Sequence, residues 1–132
     1  MKNIINVVGA IIINENNEIF CAQRPLNKKF GGLWEFPGGK IEKNETLKTA
    51  LERELLEELN LKVEANHIFM KVEKEYNDFI INLTCLTCKI MDFNSFNLNE
   101  HIAYKWEKKE NLLELEWVPT DIPIVKKLQT FL

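Results

Sequence analysis

From Thr46 to Leu59 the chain repeats apolar residues at Leu47, Ala50, Leu51, Leu55 and Leu59, the three-to-four spacing of a helix with one buried face. Three glutamates, Glu54, Glu57 and Glu58, interrupt that pattern. At ~100° per residue, Glu54 and Glu58 fall within about 60° of the mean direction of the leucines, and Glu57 lies at the border of the apolar face. Carboxylates three and four residues apart repel one another by a few tenths of a kcal/mol per pair in water, and by more when desolvated. A helix that turns such a face towards a core needs positive charge at that spot. Arg53 can offset one carboxylate. A hard divalent cation with oxygen ligands offsets several at once, and Mg²⁺ typically joins carboxylates to substrate phosphates.

The residues before the helix fit that reading. Pro37, Gly38 and Gly39 end any regular element, and the bare glycine backbone can approach a neighbour closely. Its carbonyls can then meet a cation, or its amides phosphate oxygens.

The remaining text reads as strands. Asn3 to Ile13 and Glu18 to Arg24 flank the turn Asn14 to Asn17, and together they are expected to form a hairpin. Pro25 to Gly32 is a polar loop, followed by a short apolar piece from Trp34 to Phe36. Leu61 to Tyr76 and Phe79 to Met91 form a second expected hairpin about Asn77 and Asp78. A loop from Asp92 to Glu100, a strand from Ile102 to Glu107 and a helical turn over Asn111 to Leu115 follow. The last helix starts near Thr120 or Asp121, either of which can cap it, and runs through Ile124, Val125, Leu128 and Phe131. Strands, one central helix, more strands and a final helix predict an α+β sandwich, and 132 residues with 45% hydrophobic content predict one domain over 1–132.

Other classes are disfavoured. With 17 basic and 20 acidic residues, a net charge of −3, the chain has no basic block of the kind that grips polymeric nucleic acid. The apolar start is broken by Asn6 and reads as a buried strand rather than a leader, and no run is long enough for a membrane span. Cys85 and Cys88 spell CxxC inside a β-rich run, where residues three apart point to opposite faces. With Cys21 they read as core residues of a reducing, cytoplasmic compartment. His67 and His101 have no partner at ligand spacing and are given no metal role.

Read from Gly39, the chain shows Gly39, five residues, Glu45, seven residues, Arg53-Glu54-Leu55, one residue, Glu57-Glu58, one residue, then Asn60-Leu61. This pattern over 23 residues resembles the signature box of the Nudix hydrolases, departing only at Asn60, where the family has glycine. Asparagine is the next best residue for the left-handed conformation that ends a helix, so the departure should affect stability slightly and chemistry not at all. The stretches VVGAIIINENNEIFCAQRP, LWEFPGGKIE and PTDIPIVKKL are similar to the MutT branch, and GLWEFPGGK with DIP to the cytidine-triphosphate pyrophosphohydrolases.

That resemblance implies a mixed sheet between helices and Mg²⁺ or Mn²⁺ as cofactor. It implies that Glu54, Glu57 and Glu58 are metal ligands with the Gly38 carbonyl, that Glu54 also serves as base, and that Arg53 and Glu45 hold the loop and helix together. Glu100 aligns with a loop carboxylate acting as further ligand or base. Arg24, Lys29, Glu35, Phe36, Gly39 and Tyr76 would border the nucleotide. Asp121 stands where MutT relatives read the base with an asparagine; an ionised aspartate offers only acceptors, and a protonated one regains a donor. The implied activity is conversion of a nucleoside triphosphate to the monophosphate and pyrophosphate by a monomer or homodimer. 8-oxo-dGTP, in nucleotide-pool sanitation linked to DNA repair, is the leading substrate. CTP, dCTP or 5-substituted dCTP is the alternative, and a nucleotide-binding module without turnover is a further one.

Overall fold

The computed structural model describes residues 2–131, with the side chain of Phe131 outside that set along with Met1 and Leu132. The chain runs through β1 (Asn3–Ile12), β2 (Glu18–Gln23), β3 (Trp34–Glu35), β4 (Gly38–Lys40), α1 (Leu47–Leu59), β5 (Lys62–Glu75), β6 (Phe79–Asp92), β7 (Ala103–Lys108) and α2 (Ile122–Phe131). Short 3₁₀ segments at Lys109–Glu114 and Pro119–Asp121 precede α2.

The strands form two sheets. One has the order β4-β1-β6-β5, in which β1 and β6 are parallel and the other pairs antiparallel; the second has the order β3-β2-β7. The expected hairpin over β5 and β6 is present, closed by the Tyr76 N–H on the Phe79 carbonyl at 2.8 Å. The expected hairpin of β1 with β2 is not. Those strands part into different sheets, and pairing is confined to the turn, in the Ile13–Ile19 bridge and the Asn14 N–H on the Glu18 carbonyl at 3.0 Å. The reason lies in β1 itself, whose Val8 to Ile12 are buried on both faces. Such a strand belongs in the middle of a sheet, and it pairs along both edges, with β4 and β6.

β4 is a second departure. Gly38 and Gly39 were expected to end regular structure, yet Gly38–Lys40 pairs with β1, Gly38 facing Gly9. A side chain at Gly38 would collide with the Val8 carbonyl, so glycine here permits pairing instead of preventing it.

Two cores lie on opposite sides of the strands. On one side Val8, Ala10, Ile12, Phe20 and Leu86 meet Ala50, Leu51, Leu55 and Leu59 of α1. On the other, Ile11, Ile19, Cys21, Leu83 and Cys85 meet Ile124, Val125 and Leu128 of α2. Strand alternation sends Cys85 and Cys88 to different cores, as their spacing predicts. The result is the mixed-sheet α+β sandwich the sequence implies. Among the described residues, no helix is long and apolar enough to cross a membrane.

Thr46 caps α1 through a reciprocal pair: its hydroxyl accepts the Thr49 N–H at 3.1 Å, and the Thr49 hydroxyl accepts the Thr46 N–H at 2.9 Å. At the other end Asn60 takes φ 49 and ψ 40, its backbone N–H reaching the Leu56 carbonyl. An alanine here would lack both the tolerance of that conformation and the side-chain bond to the Ser95 carbonyl. Asn60→Ala is therefore expected to lower stability by about 1–2 kcal/mol in urea denaturation.

Candidate active site

One arginine organises the acidic face of α1. Arg53 donates from Nε and Nη2 to the two oxygens of Glu45, at 2.6 and 2.9 Å, and from Nη1 to Glu54 Oε1 at 3.0 Å and Glu57 Oε1 at 2.9 Å. Nη2 also reaches the Lys40 carbonyl at 3.1 Å. The bond from Arg53 holds the Glu45 carboxyl below its ordinary range. Glu45 in turn accepts the Glu42 N–H at 2.8 Å, so the turn after β4 is tied to the helix through one guanidinium. Glu57, at the border of the apolar face, is exposed and directed to Arg53. Glu54 stays partly buried, packed against the open side of Gly39, where an added Cβ would collide with its carboxylate.

Glu58 is different. It is buried, at 8% exposure, and its Oε1 has no hydrogen-bond partner among the described residues. Burial, then the charges of Glu54, Glu100 and Glu35, push its pKa well above the ordinary carboxylate range. Glu100 comes near because its loop docks on the end of α1. The Asn97 and Asn99 N–H groups bond the Leu59 and Glu58 carbonyls at 2.8 and 2.9 Å, and the Asn99 side chain bonds the Glu57 carbonyl at 2.8 Å. A helix leaves its last carbonyls without internal partners, and this loop supplies the donors. The sequence singles out Glu100 in this polar loop, and the docking on α1 through Asn97 and Asn99 is what the fold adds.

These residues form one end of a cleft of about 750 Å³, bordered by Gly38, Gly39, Glu54, Glu58 and Glu100 and extending to Arg24, Lys29, Glu35, Phe36, Tyr76 and Asp121. Glu45, Arg53 and Glu57 stand behind it. At the far end Tyr76 stacks on Phe79, ring centres 5.0 Å apart, and the Lys29 ammonium lies 5.1 Å from each of those two ring centres. Phe36 packs on Trp117 at 4.8 Å.

Asp121 does not cap α2. Its Oδ2 accepts the Phe36 N–H at 2.9 Å and its Oδ1 the Thr120 hydroxyl at 3.1 Å, in a setting only 4% exposed. The 3₁₀ segment Pro119–Asp121 turns the carboxyl towards β3 instead of along the helix that follows. Desolvation is the largest influence on it, opposed by the Phe36 N–H, and pushes its pKa from the ordinary 3.8 up to about 7.

His101, given no role from the sequence, is buried beside Glu35: its Nε2 lies 2.9 Å from Glu35 Oε2, while Arg24 donates from Nη1 to Glu35 Oε1 at 3.0 Å. A lone histidine carries no pattern that spacing can detect; its place next to Glu100 was the available hint.

The donor set suits a hard cation. Glu58 presents a buried, unpartnered carboxylate oxygen, Glu54 lies on a glycine cradle beside it, and Glu100 adds a third acid. As they stand, no three acidic, histidine or cysteine side chains among the described residues close on one point.

The family model for the NUDIX domain matches residues 4–128. A CTP pyrophosphohydrolase of Escherichia coli (strain K12) is 37% identical over 92% of this chain and 89% of its own length. An 8-oxo-dGTP diphosphatase of the same strain is 34% identical over 98% of each chain. The solution structure of the DNA mismatch repair protein MutT, a Nudix hydrolase from methicillin-resistant Staphylococcus aureus 252, superposes with a TM-score of 0.78 at 43% identity, covering 98% of each chain.

The buried Asp121 carries a test of its own. Its raised pKa means that the folded protein keeps a proton that the unfolded chain releases above 3.8, so this group's contribution to stability declines between pH 3.8 and about 7. Asp121→Asn lacks that decline. The difference in Tm between the variant and the wild type should therefore grow in the variant's favour from pH 4 to pH 8 in thermal melts.

Proposed function

The chain belongs to the NUDIX family of hydrolases, and from that premise we propose that it is a divalent-metal-dependent nucleoside triphosphate pyrophosphohydrolase whose leading substrate is 8-oxo-dGTP. One observation carries the reading. A single cleft joins an acidic end, where Glu58 keeps an unpartnered buried oxygen near Glu54 and Glu100, to a dry aromatic end where Asp121 is fixed on the Phe36 N–H.

Glu54, Glu58, Glu100 and the Gly38 carbonyl would hold Mg²⁺ or Mn²⁺, with Glu57 joining once it leaves Arg53. When bound, the cation offsets polyphosphate charge and makes a coordinated water more acidic. The chain's own part is orientation and proton transfer. Glu54 takes the proton of the attacking water; a new oxygen–phosphorus bond forms, the anhydride bond between the α- and β-phosphates breaks, and pyrophosphate and monophosphate leave. Arg53, through Glu45 and Lys40, keeps the glycine turn against α1 while the charges on the helix change.

At the other end, Tyr76 with Phe79 offers a stacking face, Lys29 and Arg24 supply positive charge, and Asp121 meets the edge of the base. Where the buried Asp121 carboxyl keeps its proton it offers both a donor and an acceptor, which suits the O6 and N7–H edge of 8-oxoguanine. A cytidine triphosphate is the second reading. It is favoured by the two carboxylates, Glu35 and Asp121, on the cleft, since acidic side chains accept well from the exocyclic amine of cytosine. A binding module without turnover has no use for an acidic end of this kind, and it becomes the reading if no nucleotide yields pyrophosphate with Mg²⁺ or Mn²⁺.

Glu54→Gln should lower kcat by about a hundredfold or more with little change in Tm, the loss expected of a general base. An unchanged rate would remove Glu54 from the proton transfer. The substrate is decided by kcat/KM for 8-oxo-dGTP, dGTP, CTP, dCTP and 5-methyl-dCTP in the wild type, Asp121→Asn and Asp121→Ala. If Asp121 reads the base, the ranking changes with the residue; a ranking preserved across all three proteins assigns selectivity elsewhere.

A further inference from the structure

We infer that His101 is the positioning residue for nucleotide selection, acting through a hydrogen bond that fixes the carboxylate of Glu35 at the wall of the cleft. The inference rests on the reading of that cleft as a nucleotide site.

Glu35 lies where three strand ends meet. It closes β3, Arg24 follows β2, and His101 precedes β7, and these strands are neighbours in the three-stranded sheet. The Ile102 N–H bonds the Gln23 carbonyl at 3.0 Å, which anchors the histidine's own segment beside β2. From this frame Arg24 and His101 address different oxygens of Glu35, at 3.0 and 2.9 Å. Each carboxylate oxygen keeps a further lone pair, so the group is held in place and can still accept from a nucleotide hydroxyl or amine. The next residue is Phe36, whose N–H holds Asp121. The two acidic groups on the cleft, Glu35 and Asp121, are thus attached to neighbouring positions of one segment.

The two nitrogens of His101 behave differently. A carboxylate already bonded to a guanidinium is an acceptor, so Nε2 carries the hydrogen. Nδ1 is buried, and it has no partner among the described residues. A ring with one such nitrogen is a poor packing element, because its desolvation is only half compensated. An apolar ring of similar size would fill the space at lower cost. What histidine adds there is the bond to Glu35, which fixes the placement of that carboxylate.

Those two contributions can be separated by experiment. The variants are His101→Phe, which keeps a ring and removes the donor, His101→Gln, whose amide can still donate, Glu35→Ala, and the double variant Glu35→Ala/His101→Phe. Dissociation constants for 8-oxo-dGMP, dGMP and CMP, monophosphates that cannot be turned over, are measured alongside Tm. His101→Phe should weaken the tightest of these by about tenfold, the effect of losing one hydrogen bond to a charged group, and compress its preference over the others. Its Tm should stay close to that of the wild type, the lost bond being offset by the easier burial of an apolar ring. His101→Gln should stay within about threefold of the wild type. In the Glu35→Ala background His101→Phe should change binding no further, because residues that act through one bond are not additive.

Unchanged binding by His101→Phe, additive losses in the double variant, or no binding of any monophosphate by the wild type would each overturn the inference. A fall in Tm that accounts for the lost binding would do the same. Pyrophosphate release from the triphosphates by the wild type is followed in parallel. Its absence would remove the catalytic reading, while the binding cycle would still decide the role of His101.

Discussion

The guanidinium of Arg53 is the interaction on which the acidic site depends. It bonds Glu45, Glu54, Glu57 and the Lys40 carbonyl, and so ties the turn after β4 to the middle of α1. Carboxylates three and four residues apart on a helix repel one another, and one arginine bonded to several of them offsets that repulsion. This lets α1 carry glutamates next to a packed face. Solvent screens part of this gain, since Arg53 and Glu57 are both reached by water.

The glycines set the distance across the site. Gly38 faces Gly9 in the pairing of β4 with β1, and Gly39 leaves the space in which Glu54 lies. A side chain at either position would hold the strand off the sheet or displace the carboxylate. Behind these contacts, the buried Leu51, Leu55 and Leu59 fix the rotation of α1, and the loop through Asn97 and Asn99 covers its C-terminal carbonyls. Glu58 is buried through the sum of these arrangements, and no single neighbour accounts for it.

The far end of the cleft obeys a different constraint. Asp121 and Glu35 are each held by donors from elsewhere in the chain, the Phe36 N–H for one, Arg24 and His101 for the other. Buried polar groups persist when they are bonded, and a carboxylate bonded on one side remains an acceptor on the other. The carboxylates that border the cleft are thus held by groups drawn from distant parts of the sequence.

The periodicity of α1, its alternation of leucine with glutamate, the β5–β6 hairpin and the spacing from Gly39 to Leu61 were legible in the residues, because each depends on contacts within a turn or along one strand. The same locality explains what was not legible. The pairing of β1 with β4 and β6 in place of β2, the strand made by Gly38–Lys40, the docking of the Asn97–Asn99 loop on α1 and the turn of Asp121 onto Phe36 all join residues far apart in the chain. His101 belongs with these, since its partner Glu35 is 66 positions away. Which chemistry is available is written in the residues, as a run of carboxylates beside paired glycines. Which carboxylates are desolvated and which side chains hold them follows from the packing, because burial and hydrogen bonding across the two sheets are properties of the folded chain and not of neighbouring residues.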